Sequence, residues 1–274
     1  MNATRLLLLS FTLVAPLVAQ TPDPSKFEPV LVPVFSAGSG AFGSQWVSSM
    51  HLLNSGKTAV DLAKPVLSSS LFGDDTCFIT TATLRPKQPA TLCKTVMDPS
   101  GVILYVPRTT AEDDKNLNFH LRVRDTSRSD QNAGTEVPVV RERNLRGEEP
   151  FWLLGVDTDD GYRVALRFYD ILGVDGLPLT MRAYGREGLL LETSITLSQP
   201  IRTLAVDPFP LHPAYEIVPD LTALFPQLKG HGPLDIEIRY DPPPGAPPYP
   251  HKHLYAFASI TNNATQVFTI VTPQ

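Results

Sequence analysis

Cysteine is scarce in this chain, two among 274 residues, and charge is thin, at 19% against an ordinary share of about 25%. Two cysteines do not complete a zinc site, and none of the six histidines lies between Cys77 and Cys93. A basic excess is also missing. Lys and Arg number 23 against 28 Asp and Glu, a net charge of −5, so the electrostatic footprint of a nucleic-acid binder is absent. Beyond the first residues no run is long and apolar enough to cross a bilayer, so no transmembrane segment is expected in the mature chain. There is no G-x-S-x-G elbow, and the paired carboxylates Asp74-Asp75, Asp113-Asp114 and Glu148-Glu149 are adjacent in sequence. On a strand, neighbours point to opposite faces, which argues for solvated turns over an acid/base pair.

Proline and apolar residues are plentiful. There are 27 prolines, close to twice the usual share of about 5%. Each costs ~3 kcal/mol inside a helix. Hydrophobic residues make up 42%, too many for a disordered chain. The composition predicts an all-β fold with few or no helices. The first residues have the layout of an export leader: Arg5, an apolar run over residues 6–18 broken only by Ser10, Thr12 and Pro16, then Ala19 before the expected cut. A secreted or periplasmic protein is expected. In that compartment Cys77 and Cys93 are expected to form a disulfide contributing on the order of 3 kcal/mol, the rival reading being two buried thiols.

Three segments alternate with a period of two: 117–124, 162–169 and 234–240. In the second, Tyr162, Val164, Leu166 and Phe168 form the inward set, while Arg163 and Arg167 point the other way. Each predicts an antiparallel strand with one buried and one wet face. Weaker strand candidates include 30–35, 46–53, 102–106, 137–141, 151–156, 189–197, 253–260 and 267–272. One short helix is expected over 219–225, stopped by Pro226. Residues 241–250 form a stiff, polyproline-like loop.

The alternation recurs. The pattern at Trp46, Ser48, Met50 and Leu52 matches that at Tyr162, Val164, Leu166 and Phe168. Leu117, Phe119, Leu121 and Val123 match Leu234, Ile236, Ile238 and Tyr240 at nearly the same offset, about 116 residues. The expected organisation is a signal peptide over 1–19, a linker over 20–28, and two tandem antiparallel β-sandwich modules over 29–144 and 145–274, divided in the charged stretch 141–149. Val32-Pro33-Val34, Gly38-Ser39-Gly40-Ala41-Phe42-Gly43-Ser44 and Met50-His51-Leu52-Leu53-Asn54 resemble a loose family of exported bacterial proteins with a GAFGS loop near the N-terminus. His253-Leu254-Tyr255-Ala256-Phe257-Ala258-Ser259-Ile260-Thr261-Asn262-Asn263 is similar to that family's closing strand, with Asn262 in place of its acidic residue. The resemblance implies export and tandem β-sandwiches and carries over no catalytic residue.

Several stretches are candidate sites. Gly38, Gly40 and Gly43 spell G-x-G-x-x-G, but no helical stripe follows, so a glycine loop leading into a strand is favoured over a dinucleotide site. Asp157, Asp159 and Asp160 form an acidic turn that offers calcium oxygens, without the ligand spacing of an EF-hand. His251 and His253 share a face if extended, two imidazoles short of a full metal site. Trp46, Trp152, Tyr249 and Tyr255 are candidates for a sugar-stacking platform. Tyr249 in the proline loop is the one expected to be exposed. No cofactor is expected. These features predict a non-catalytic protein that binds an extracellular ligand, glycan or protein, or serves a cell-surface structural role. The alternatives are a glycan-binding module using the proline loop and a secreted hydrolase without a recognisable motif.

Overall fold

The structure is a computed structural model describing residues 23–35, 37–63, 83–92, 101–108, 116–128, 134–145, 150–199, 209–242, 244–245 and 253–274. In chain order the strands of the first half are β1 (Phe27–Val32), β2 (Ala37–Ser39), β3 (Gln45–Asn54), β4 (Val60–Asp61), β5 (Thr83–Leu84), β6 (Pro89–Leu92), β7 (Val102–Pro107), β8 (Leu117–Asp125), β9 (Thr135–Val137) and β10 (Val140–Arg141). The second half carries β11 (Phe151–Val156), β12 (Tyr162–Asp170), β13 (Leu177–Gly185), β14 (Gly188–Leu197), β15 (Ala214–Val218), helix α1 (Leu221–Leu224), β16 (Leu234–Tyr240), β17 (Leu254–Asn262) and β18 (Phe268–Val271). The fold is all-β, its sheets are antiparallel, and α1 is the only α-helix among the described residues. Asp220 starts that helix by accepting a hydrogen bond from Ala223 N at 3.1 Å, and Pro226 follows its end.

Among the described residues no sheet mixes strands of the two halves. The first half has the sheets β10-β1-β7 and β2-β3-β8-β9, with β6 also on β3, and the β4–β5 pair. The second has β11-β16-β13-β14 and β15-β12-β17-β18. The last two enclose one core, to which β12 contributes Val164, Leu166 and Phe168 and β17 contributes Leu254, Ala256, Ala258 and Ile260. These are the even-numbered residues, as the two-residue period of a strand requires.

The odd-numbered residues of the same two strands face a second core. Tyr169, Tyr255 and Phe257 pack with Val30, Leu31, Met50, Leu52 and Leu121 of the first half. Tyr169 stacks on Phe257 with centroids 6.2 Å apart and on Tyr255 at 6.5 Å. Full burial of side chains of this size contributes roughly 1.5–3 kcal/mol each. The β12 sheet is therefore a middle layer, covered on both faces, and β17 is buried from Leu254 to Thr261. Hydrogen bonds also tie the halves: Ile103 N to Leu211 O at 2.7 Å, Tyr105 Oη to Pro210 O at 2.9 Å, and Thr135 Oγ1 to Phe268 O at 2.9 Å.

The fold departs from the sequence expectations in four places. The Arg163–Arg167 face of β12 is not wet but turned toward the first half. Tyr162, assigned to the inward set, is 37% exposed at the strand start. Strand β13 was not foreseen, and it carries Pro178, a residue ordinarily kept out of central strands. The proline sits where it is harmless: pairing with β16 begins one residue later, at Leu179 opposite Tyr240. The strands matched by the 116-residue recurrence also pair differently, since β3 lies beside β8 while β12 and β16 lie in different sheets. Alternation is common to every half-buried strand, so it does not fix a shared topology.

The charged stretch after β10 begins as an anchored turn. Glu28 of β1 is fully buried and accepts from Arg141 Nη2 at 2.8 Å and from Arg143 N at 3.0 Å and Nε at 2.8 Å, with a further bond from Arg143 Nη2. Burial pushes the Glu28 carboxyl upward. The hydrogen bonds of Arg143 and the charge of Arg141 outweigh it and hold the group below the usual carboxylate range.

Candidate functional site

A cleft of about 630 Å³ opens between the β12 sheet and the strands β2, β3, β8 and β9. One wall is the odd-numbered face of β12 and β17: Arg163, Ala165 and Arg167 beside Phe257, Ser259 and Thr261. Opposite stand Trp46, Ser48, Val123 and Val137, with residues 38–41 and the β18 residues Phe268 and Ile270 completing the enclosure. Small-molecule sites have volumes of about 300–1,000 Å³, mostly apolar walls and a few convergent polar groups.

The two arginines are the polar groups that set this cleft apart. Strand spacing places Arg163 and Arg167 on one face, their Cα atoms about 13 Å apart, with the small Ala165 between them. The Cζ atom of Arg163 lies 5.6 Å from the Phe42 ring centroid, and that of Arg167 lies 5.7 Å from the Phe257 centroid. Arg167 Nη1 donates to Ser259 Oγ at 3.3 Å. Arg167 Nε and Arg163 Nη1 are sealed from solvent and have no hydrogen-bond partner among the described residues. Asp220 is the one carboxylate of the lining, and it is engaged by Ala223 N at 3.1 Å and Thr222 Oγ1 at 3.2 Å. Burial lowers the Arg167 pKa from its ordinary value, with the Tyr169 phenol opposing it. A buried donor left without an acceptor costs roughly 1–3 kcal/mol, and more when it is charged.

The glycine loop is part of this enclosure. Strands β2 and β3 form a hairpin with Gly38 opposite Trp46, closed by Gly40 N donating to Ser44 O at 2.8 Å. That is hairpin geometry, without the helix a dinucleotide phosphate needs. Phe42 has a φ of 56°, uncommon for an aromatic residue, and its ring is 68% exposed beneath Arg163. Trp46 closes on Phe268, with ring centroids 5.4 Å apart at an interplanar angle of 82°.

The other candidate residues lie elsewhere. Asp157 accepts from Asp159 N at 3.0 Å, an Asx turn, and Asp160 pairs with Lys229 at 3.1 Å on the exposed surface. Thr158 between them is buried and donates to Leu228 O at 3.0 Å. No cluster of three or more His, Cys, Asp or Glu suited to a metal occurs among the described residues. His253 is buried at the start of β17, its Nδ1 3.5 Å from Glu142 Oε1. Tyr249, His251, Cys77, Cys93 and the leader over 1–19 lie outside the described residues. The aromatic candidates do not form one platform: Trp46 is in the cleft, Tyr255 is in the core, and Trp152 pairs with Tyr184 at 5.5 Å. A second cavity of about 290 Å³, lined by Leu145, Phe151, Tyr255 and Gln274 among others, has no charged side chain in its lining.

Arg163 and Arg167 were legible as residues facing away from the core but not as a site. The available signal was the neighbouring β17, whose sequence is apolar or small on both faces from Leu254 to Ile260. A strand of that kind is covered on both sides, and its neighbour must be covered too. No family model matches the chain, and no curated protein or solved structure was found to be similar to it.

Proposed function

We propose that this is an exported, non-catalytic binding protein that holds a small, largely apolar molecule in the cleft between its halves. The observation that carries the reading is the cleft of about 630 Å³, with walls built from Trp46, Val123, Phe257, Phe268 and Ile270. Its volume and its apolar lining match those of ligand pockets. Among the described residues no histidine lines it, the Ser48 hydroxyl donates to Val34 O at 2.7 Å and that of Ser259 to Ala165 O at 3.5 Å, and the carboxylate of Asp220 is engaged at the start of α1. That favours holding over turnover, which needs a base beside a nucleophile. Export rests on the leader-like residues 1–19.

The test is a ligand screen on the mature chain, read by thermal midpoint and by Trp46 emission. The expected result is a raised midpoint together with a shifted emission for small apolar compounds, both weakened by Val123→Phe, which narrows the cleft without adding an indole. Compounds that raise the midpoint equally in Val123→Phe would bind elsewhere and overturn the reading. So would turnover of a glycan, ester or peptide at this cleft.

A further inference from the structure

The cleft has a charge asymmetry that an apolar ligand alone would leave unanswered. Two guanidinium groups line it, each with a nitrogen sealed from water and lacking an acceptor among the described residues. Asp220, the only carboxylate that the described residues contribute to the lining, is occupied at the start of α1. From this we infer that the ligand is a monoanion with an apolar body, a small carboxylic acid, whose carboxylate is anchored by Arg167 with Arg163 as the second cation. The inference rests on the cleft being a binding site and adds the chemical class of what it binds.

Arg167 is the anchor on three grounds. Its Nε is sealed and has no acceptor among the described residues, so its charge is not answered within the lining. Its Nη1 is steadied by Ser259, which in turn donates to Ala165 O at 3.5 Å, so the guanidinium plane is held from one edge only. It also rests on Phe257, its Cζ 5.7 Å from the ring centroid, which holds the cation against the wall of the cleft. A planar guanidinium donates two parallel hydrogen bonds to a carboxylate, here from its Nη edge because Nε is sealed. The apolar body then lies against Trp46, Val123, Phe268 and Ile270. Arg163 sits on the same face nearer the strand start, over the exposed Phe42 ring, and adds a second positive charge to the same wall.

A matched pair of probes separates this inference from the reading beneath it. Octanoate and octanamide have the same shape and differ in charge. They are titrated into the mature chain carrying Trp152→Phe, which leaves Trp46 as the sole indole of the two. Octanoate is expected to bind about tenfold or more tightly than octanamide, and the preference is expected to fall toward unity in Arg167→Met and to be partly kept in Arg167→Lys. Arg163→Met is expected to reduce the preference less. Thermal midpoints of the unliganded variants check that they fold, and Arg167→Met should not lower the midpoint, because it removes a buried cation without a counter-ion. Equal binding of the two probes, or a preference that survives Arg167→Met, overturns the anion inference and leaves the cleft reading standing. Binding of neither probe overturns both.

Discussion

Gly40 lies against Trp46 so closely that a Cβ at position 40 would fall 2.4 Å from the indole Nε1. The second obstacle, Ser44 Oγ at 2.4 Å, is also fixed, because Ser44 is buried and its hydroxyl donates to Ala41 O at 2.8 Å, and the indole is held by Phe268. Gly40→Ala is therefore expected to push Trp46 into the cleft and to cost about 1–3 kcal/mol. Chemical denaturation would measure the loss, and a changed Trp46 emission would locate it. Trp46→Phe in the Gly40→Ala background should recover part of the stability, since the two changes share one contact.

Asp220 gives a way to alter the charge of the cleft without altering the fold. Asn caps a helix about as well as Asp, so Asp220→Asn should leave the thermal midpoint within a degree or two, on the order of a few tenths of a kcal/mol. It removes the one carboxylate of the lining, so octanoate affinity should rise. Asp220→Ala, which also removes the cap, is expected to cost about 1 kcal/mol.

The buried ion pairs of Glu28 make a larger prediction. Replacing Glu28 by Ala leaves the Arg141 guanidinium buried without that carboxylate, and breaking such a pair costs about 3–5 kcal/mol. Urea unfolding of the variant should show its midpoint lowered accordingly, with a similar slope.

Acid sensitivity follows from the same carboxylate. A carboxyl whose folded pKa lies below its unfolded value stabilises the fold above the unfolded pKa, and loses that contribution as pH falls through the folded one. Glu28 is depressed in this way. So is Asp125, where burial pushes upward but bonds from Gln45 N and Ser127 prevail. The thermal midpoint should be flat from pH 7 to 5 and fall below about pH 4. In Glu28→Gln the midpoint should start lower and fall less steeply over that acid range.

Thr158 tests the turn that resembled a calcium site. Its hydroxyl reaches Leu228 O at 3.0 Å and Gly232 O at 3.1 Å from a buried position. Thr158→Val should cost about 1–3 kcal/mol by leaving those carbonyls short of a donor. Calcium should leave the midpoint of both proteins unchanged.

The strands with a clean period of two were legible because alternation is written locally. Leu117, Leu121 and Val123 are buried in β8, and His120, Arg122 and Arg124 are exposed. The cleft was not legible for the opposite reason. Alternation tells that Arg163 and Arg167 face away from Val164 and Leu166, but what covers the far side is set by separate strands, with Trp46 of β3, Val123 of β8 and Val137 of β9 before them in the chain and Phe268 of β18 after them. Gly38 to Gly43 show the same limit. Their spelling read as a glycine loop leading into a strand, and only the pairing of Gly38 with Trp46 shows that the loop closes a hairpin bordering the arginines. Strand β15 escaped notice because Ala214 to Val218 is short and half-buried without alternation.

The double burial of β17 bears on how the chain comes into being. During synthesis the first half leaves the ribosome with its core unfinished, because Tyr255, Phe257 and Phe268 have yet to be made. The second half, too, waits for Leu254, Ala256 and Ala258. Neither half is a folding unit that can be completed early, although domains ordinarily fold one after another as they emerge. A stop codon before residue 254 would leave two open cores rather than one intact module, and the finished protein should melt in a single transition.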